Sequence, residues 1–304
     1  MRSLVIGYGS IGSRHTRILK ELGYRVAVVS TREIDYELRY NNLEEAICFE
    51  KPKYIIVANQ TSQHLSTLYE LIKLNYKGTI LVEKPLFGYS LEMPEHNFKK
   101  GFVAYNLRFH PIIQRIYELI KEEKIISVQA YVGQYLPLWR PQTDYRSSYS
   151  AKKDLGGGVL RDLSHELDYL NWLLGGWQKL SALGGHFSHL DIDSEDVSSV
   201  MMVTNKCPIV TLQMNYLDRV SRREILINTD RNTIKADLVN GVLWLDGQIE
   251  EYKIDRDYTY RCQHESILQS KFENICTFEE GLEIVKMIEA IEVSIKDRVW
   301  IDKC

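Results

Sequence analysis

The stretch GGGVLRDLSHELDYLNWLLGG, residues 156 to 176, places an aspartate, a histidine and a tyrosine at helical spacing behind three glycines. A helix from about Val159 onward sorts these residues into two stripes. Leu163, Leu167, Leu170 and Leu174 fall on a packing face, and Asp162, His165, Tyr169 and Trp172 fall roughly opposite. Residues three apart on a helix have Cβ atoms about 5–6 Å apart, so Asp162 and His165 can act on one small object. That is acid–base geometry, with Tyr169 beside it as a substrate contact; solvated side chains on a capped surface helix are the plain alternative. A second chemical group is Lys84 in Glu83-Lys84-Pro85-Leu86, directly after the apolar run Ile80 to Val82. The proline holds Lys84 extended. A lysine just off a buried strand can have its pKa lowered by desolvation, which suits a proton acceptor or a carbonyl polariser.

The elements that must position these groups begin at the N-terminus. Leu4-Val5-Ile6 runs into Gly7-Tyr8-Gly9-Ser10-Ile11-Gly12, a G-x-G-x-x-G turn. Helical spacing follows through Ile11, His15, Ile18, Leu19 and Leu22, with Gly23 as the stop and Arg25 to Val29 as the next strand. In this β-α-β context the glycines allow a tight turn and close approach of backbone to a pyrophosphate at the helix N-terminus. Gly7, Gly9, Ser10, Ile11 and Gly12 are therefore expected to hold a dinucleotide. At the end of the second strand stand Ser30, Thr31 and Arg32, with no acid until Glu33. An acid there would accept the ribose 2′-hydroxyl, whereas a cation tolerates a 2′-phosphate. This points to NADP(H), with Arg32 on the phosphate and NAD(H) as the alternative.

Tyr54 to Ala58 reads as a strand covered on both faces, followed by a helix carrying Leu65, Leu68, Leu71 and Ile72 and capped by Thr61 or Ser62. The alternation predicts a parallel sheet whose ligand lies beyond the C-terminal strand ends. Asn59, Thr61, His64, Glu83 and Lys84 cluster there, and a further strand, Phe102 to Leu107, adds Asn106 to the cofactor set and Arg108 to the substrate set. A helix with Ile112, Ile116 and Ile120 closes a first domain at residues 1–122. Residues 87–101 show no convincing helix.

From Ile125 the pattern changes to alternating strands: 126–132, then about 197–204, 208–216, 222–229, 232–238 and 242–245. Short turn-like links make this an antiparallel sheet. Helices at about 262–276 and 279–296 close a second domain, 123–304, and cover edges or return to the first. The expected fold is thus an α/β Rossmann dinucleotide-binding domain followed by an α+β domain with a largely antiparallel open sheet. Between strand and glycines lies a loop with Tyr135, Trp139, Arg140, Asp144, Tyr145 and Arg146. Aromatic faces beside guanidinium forks suit a sugar bearing a carboxylate or phosphate.

Composition narrows the partners. At 304 residues two domains are the default. Hydrophobic residues at 44% and charged residues at 26% are ordinary for a soluble protein, and a net charge of −3 excludes a polyanion-binding surplus, hence nucleic acid. Cys48, Cys207, Cys262, Cys276 and Cys304 are odd in number, with no C-x-x-C pair, so neither a disulfide framework nor a metal site is expected. The apolar run Leu4 to Ile6 is too short for a signal peptide or a membrane span, and a cytoplasmic protein is expected.

With these pieces placed, the sequence resembles the Gfo/Idh/MocA family of oxidoreductases, which includes glucose-fructose oxidoreductase, inositol dehydrogenase and nucleotide-sugar dehydrogenases. The matching pieces are GYGSIGSRH at 7–15, VANQTSQH at 57–64, EKPL at 83–86, YNLRFHP at 105–111 and GGGVLRDLSHELD at 156–168. The resemblance implies that Lys84 and His165 are the central catalytic pair with Asp162 helping, that the Lys84-Pro85 bond is cis, and that Trp139 and Arg140 lie near a nicotinamide. It also implies a homodimer or homotetramer through the open sheet face. Two departures stand out: only Leu163 and Ser164 separate Asp162 from His165, where many members have three residues, and Gln60 replaces a frequent proline. The implied activity is hydride exchange between nicotinamide C4 and a carbinol or keto carbon of a sugar or nucleotide sugar, in surface-polysaccharide biosynthesis. The competing readings are redox-neutral, NAD-dependent glycoside cleavage and a non-catalytic NAD(P)-binding sensor or scaffold.

Overall fold

A computed structural model of the chain describes residues 2–140 and 143–303, so Cys304 lies outside the described residues. The chain divides into two compact units, Met1–Phe109 with Arg256–Val285 and His110–Asp255 with Lys286–Cys304. The sequence placed one boundary at 122/123. Instead the chain leaves the first unit at Phe109 and returns to it at Arg256, so helix Tyr258–Leu268 and the start of the long helix Phe278–Asp297 complete that unit.

In the first unit the apolar runs become parallel strands: β1 (Arg2–Ile6), β2 (Arg25–Val29), β3 (Arg39–Tyr40), β4 (Tyr54–Val57), β5 (Thr79–Val82) and β6 (Lys100–Val103). Their order is β3-β2-β1-β4-β5-β6, which reverses direction between β1 and β4 and so creates a crevice at the strand ends. Register is set with Val5 opposite Val28 on one side and Ile56 on the other. Cys276–Thr277 adds an antiparallel edge on β6. The linking helices are α1 (Ser10–Glu21), α2 (Leu43–Glu50) and α3 (Thr61–Lys73). Val5, Val28, Ile56 and Leu81 of the sheet pack with Leu19 of α1 and with Ile267 and Ile275.

Three local expectations change. Helix α2, unread in the sequence, is capped by the Asn42 side chain, which accepts from the Glu45 N–H at 2.8 Å. Helix α3 starts at Thr61 with Gln60 as its N-cap and no side-chain cap, because Thr61 already lies in the first turn. The strand expected over Phe102–Leu107 ends at Val103, and Asn106–Phe109 forms a 3-10 turn. There the Asn106 amide donates to Thr259 Oγ1 at 2.6 Å, which holds the backbone out of the ladder.

The second unit begins with α4 (Pro111–Ile120), whose Ile112, Ile113, Ile116 and Ile120 are buried. Its sheet holds β7 (Ile125–Gly133), β8 (Trp177–Gly185), β9 (Val197–Thr204), β10 (Val210–Asn215), β11 (Arg222–Thr229), β12 (Thr233–Asp237), β13 (Val242–Leu245) and β14 (Gln248–Glu251). The order is β14-β13-β12-β11-β7-β10-β9-β8, with Ile301–Asp302 on the β8 edge. Among the described residues of this sheet, only β7 and β10 pair in parallel. Alternation buries Val128, Ala130, Val200, Leu212, Met214, Ile225 and Ile227 on one face. The opposite face carries a polar cleft lined by Gln129, Tyr131, Gln213, Arg222, Glu224 and Lys235.

The single helix expected from Val159 is two: α5 (Val159–Asp162) and α6 (His165–Leu173). The break falls at Leu163, with φ −98° and ψ 22°. Helix α5 is pinned from outside: Glu195 accepts from the Val159 N–H through its carbonyl and from the Leu160 N–H through Oε1, each at 3.1 Å. A Cβ on Gly158 would collide with the Glu195 carboxylate, which explains that glycine. The expected closing helix at 262–276 instead spans Tyr258–Leu268, and residues 276–277 join the sheet edge.

Candidate functional site

The first unit offers a cradle at the crevice. Gly7 has φ +92°, and a Cβ there would stand 2.7 Å from both the Ala58 oxygen and the Asn59 nitrogen, so this turn admits only glycine. A Cβ on Gly12 would strike the Gly7 carbonyl. Gly9 differs: a Cβ would meet no protein atom within 4 Å. Protein packing does not explain that glycine, whereas a ligand lying over the turn does. Helix α1 starts there with no side-chain cap and no acid in its first turn, which leaves N–H groups and a positive dipole end for an anion. Asn59 Oδ1 is buried without a partner among the described residues, while its amide donates to Thr67 Oγ1 at 2.8 Å. A bound dinucleotide fits this combination of an open glycine, a bare helix start and an orphaned acceptor.

At the end of β2, the buried Ser30 Oγ accepts from the Arg32 N–H at 3.2 Å, while Thr31 and Arg32 are exposed. The expected residues at β4 and β5 divide by role. His64 is fully buried, with Nδ1 3.0 Å from the Leu86 carbonyl and Nε2 3.3 Å from that of Asn59. Burial lowers its pKa, and the ring braces the segment after Lys84. Thr61 opens α3, partly exposed. Glu83 Oε1 lies 2.8 Å from His15 Nε2, and Oε2 accepts from the Lys84 backbone N–H at 3.2 Å. Lys84 is partly exposed and its bond to Pro85 is cis. Arg108 is 2% exposed, with Nη1 on Glu280 Oε2 at 3.0 Å. It forms a structural ion pair in place of the substrate contact expected, because the 3-10 turn that ends β6 folds its side chain inward.

In the second unit, Asp162 and His165 sit on either side of the helix break. Asp162 is 7% exposed and accepts from the Tyr216 hydroxyl at 2.7 Å. Burial first, and that carboxylate second, raise the Tyr216 phenol, and Tyr149, 38% exposed, lies close enough to feel the same charge. Asp162 is therefore an acceptor held by Tyr216. His165, the first residue of α6, is partly exposed. Tyr169 is fully buried, and burial first and the Glu166 carboxylate second raise its phenol; Arg223 pairs with Glu166 at 2.7 Å. Tyr169 is a core residue and not the substrate contact expected, since the break turns α6 away from the continuous stripe. Trp172 stacks on Tyr117 at 4.7 Å.

The aromatic loop does gather. Leu136, Trp139, Arg140, Thr143, Tyr145 and Ser148 line a shallow cleft. Trp139 meets Tyr216 edge-on at 5.3 Å, and its buried Nε1 has no partner among the described residues. The Arg140 guanidinium lies 5.9 Å from the Tyr149 ring centre. Thus Trp139, Arg140 and Asp162 meet around the pair Tyr149 and Tyr216, neither of which the sequence reading singled out. The signal for Tyr216 was its parity with Leu212 and Met214: it had to point inward, where a phenol needs an acceptor. Tyr145 accepts from the Asp191 N–H at 3.2 Å, and exposed Arg146 pairs with its neighbour Asp144. The Arg219 guanidinium covers the Tyr135 ring at 3.3 Å. Among the described residues no group of three or more His, Cys, Asp or Glu is arranged to hold a metal ion, and no helix is long and apolar enough to cross a membrane.

Residues 113–235 match the family model described as the GFO/IDH/MocA C-terminal domain. No curated protein matches the chain significantly in sequence. Among solved structures, a levoglucosan dehydrogenase in complex with NADH superposes with a TM-score of 0.85 at 14% identity, covering 99% of this chain and 98% of that one. The WlbA dehydrogenase from Bordetella pertussis, in complex with NADH and UDP-GlcNAcA, gives 0.81 at 17%, covering 100% and 98%. UDP-N-acetylglucosamine 3-dehydrogenase GnnA from Acidithiobacillus ferrooxidans gives 0.78 at 18%, covering 98% of each chain. At these identities the likeness is one of fold, and it extends over both units.

Proposed function

We propose that this chain, a Gfo/Idh/MocA protein by its C-terminal domain and its fold, is a nicotinamide-dependent oxidoreductase acting on a carbinol or keto carbon of a sugar or nucleotide sugar. The observation that carries the reading is the cradle of Gly7, Gly9 and Gly12, with the bare start of α1 and the orphaned Asn59 oxygen. Ser10 and Ile11 would offer backbone N–H groups to the pyrophosphate. A bound nicotinamide supplies hydride acceptance or donation. Exposed Arg32, with no acid before Glu33, supports NADP(H) by leaving room for a 2′-phosphate; the complexes named above hold NADH, so NAD(H) is the competitor to measure against.

The chain's own task is the proton. Oxidation of a carbinol releases the hydroxyl proton, and Lys84 or His165 takes it; in reduction the same groups act as acids. Asp162, fixed by the Tyr216 hydroxyl, orients the reacting groups. Trp139 and Arg140, in the aromatic cleft with Tyr145, present a ring and a guanidinium fork suited to a sugar bearing an anionic group. Nucleotide-sugar chemistry in surface-polysaccharide assembly is the finer form of this reading. A homodimer or homotetramer through the polar face of the nine-stranded sheet belongs to it as well. The test is dinucleotide binding by titration calorimetry with NADP and NAD, wild type against Gly9→Val. A bulky side chain over the turn should abolish binding with the fold intact; binding unaffected by the substitution would remove the cradle from the account.

A further inference from the structure

A chain of buried polar groups in the first unit is left unused by the chemistry above. His15, on α1, places Nε2 2.8 Å from Glu83 Oε1 and Nδ1 2.8 Å from His264 Nε2. His264, on helix Tyr258–Leu268, places Nδ1 3.0 Å from the Tyr54 hydroxyl at the start of β4. His15, His264 and Tyr54 are all fully buried. Glu83 ends the chain and hands its second oxygen to the Lys84 peptide N–H at 3.2 Å.

We propose that His15 and His264 are positioning residues for Lys84, acting through Glu83 as a one-directional hydrogen-bond chain that starts at Tyr54. The inference rests on the reading that Lys84 handles the substrate proton. The proton count fixes the direction. An ionised Glu83 only accepts, so His15 donates from Nε2 and, if neutral, accepts at Nδ1. His264 must then donate from Nε2 and accept the Tyr54 proton at Nδ1. With both imidazoles neutral, every link holds one proton and no group is left without a partner. Burial and the neighbouring His15 hold His264 well below its ordinary value, and burial raises the Tyr54 phenol, so neither end of the pair charges readily. The other groups around His15 are already engaged: the Tyr260 ring packs edge-on at 5.6 Å, Arg14 lies over that ring, and Arg14 and Arg17 both pair with Asp257. The chain thus ties the Lys84 backbone to the sheet core from three separate elements.

The test uses the full-length protein with 15N-labelled histidine, in wild type, His264→Leu and His264→Gln. Wild type should show both imidazoles neutral with the proton on Nε2. His264→Leu should move the Lys84 amide resonance and lower kcat about tenfold, with KM changed less than about twofold. Glutamine can accept and donate in place of the ring, so His264→Gln should restore both readouts most of the way. A proton on Nδ1 of either histidine, an imidazolium, or a Lys84 amide unmoved in the leucine variant would overturn the proposal. If wild type shows no sugar turnover, the dehydrogenase reading fails, while the tautomers and the amide resonance still decide on the chain.

Discussion

The stability of this protein should fall steeply in mild acid, and His110 accounts for a defined share of the loss. His110 is 4% exposed. Its Nδ1 accepts from the Ile112 N–H at 3.2 Å, which caps α4, and its other nitrogen serves the Leu238 carbonyl. Protonating Nδ1 would break the cap and place a second cation beside Arg223. Burial first, and Arg223 second, lower its pKa from 6.5 to about 4. The unfolded chain takes up the proton near the ordinary value while the folded chain refuses it, so the contribution is complete above pH 6.5 and is lost as pH falls toward 4. The full loss is about 3 kcal/mol, with about 2 kcal/mol gone by about pH 5. His110→Gln keeps an acceptor for Ile112 and a donor for Leu238 but cannot titrate. Urea unfolding at about pH 7.5 and about pH 5 should show wild type losing about 2 kcal/mol more than the variant. Equal losses in the two proteins would refute the reasoning. Buried His64 and His264, also lowered, act in the same direction and remain in both proteins, so they cancel in the difference.

Tyr216→Phe removes one donor from a buried carboxylate and should cost about 1–3 kcal/mol in urea unfolding, with a fall in sugar turnover; unchanged values for both would show that Asp162 does not depend on it. Gly7→Ala forces a Cβ into φ +92° against the Ala58 carbonyl and should cost at least about 1–2 kcal/mol of stability, readable by thermal unfolding, whereas Gly9→Ala should leave the melting temperature in place and weaken dinucleotide binding. Arg32→Asp should move the ratio of NADP to NAD affinity toward NAD by about tenfold or more, since an acid accepts the 2′-hydroxyl and repels the phosphate; a ratio that stays put would assign Arg32 to solvent.

Much of this molecule was legible because local pattern and tertiary role coincide. The runs Leu4–Ile6 and Tyr54–Val57 could be covered on both faces only in a parallel sheet, and Gly7 to Gly12 fixed where the chain turns. The alternation from Ile125 likewise announced a sheet with one buried face. What was missed depends on distant partners. Leu163 and Ser164 are acceptable inside a helix, and the break between α5 and α6 follows from Glu195, more than thirty residues away, seizing the start of α5. Arg108 looked like a free guanidinium until the turn after β6 delivered it to Glu280. His15 and His264 are separated by 249 positions and meet only through the fold. Helix α2 was readable from Asn42 and the acids behind it.

The most direct test of the central claim follows the absorbance of reduced nicotinamide with NADP and a panel of free and nucleotide-linked sugars, comparing wild type with Lys84→Ala and His165→Asn. The account expects reduction by wild type with at least one sugar, and loss of that signal in both variants with dinucleotide affinity retained. Turnover surviving in both variants, or dinucleotide binding with no sugar oxidised or keto-sugar reduced, would contradict it.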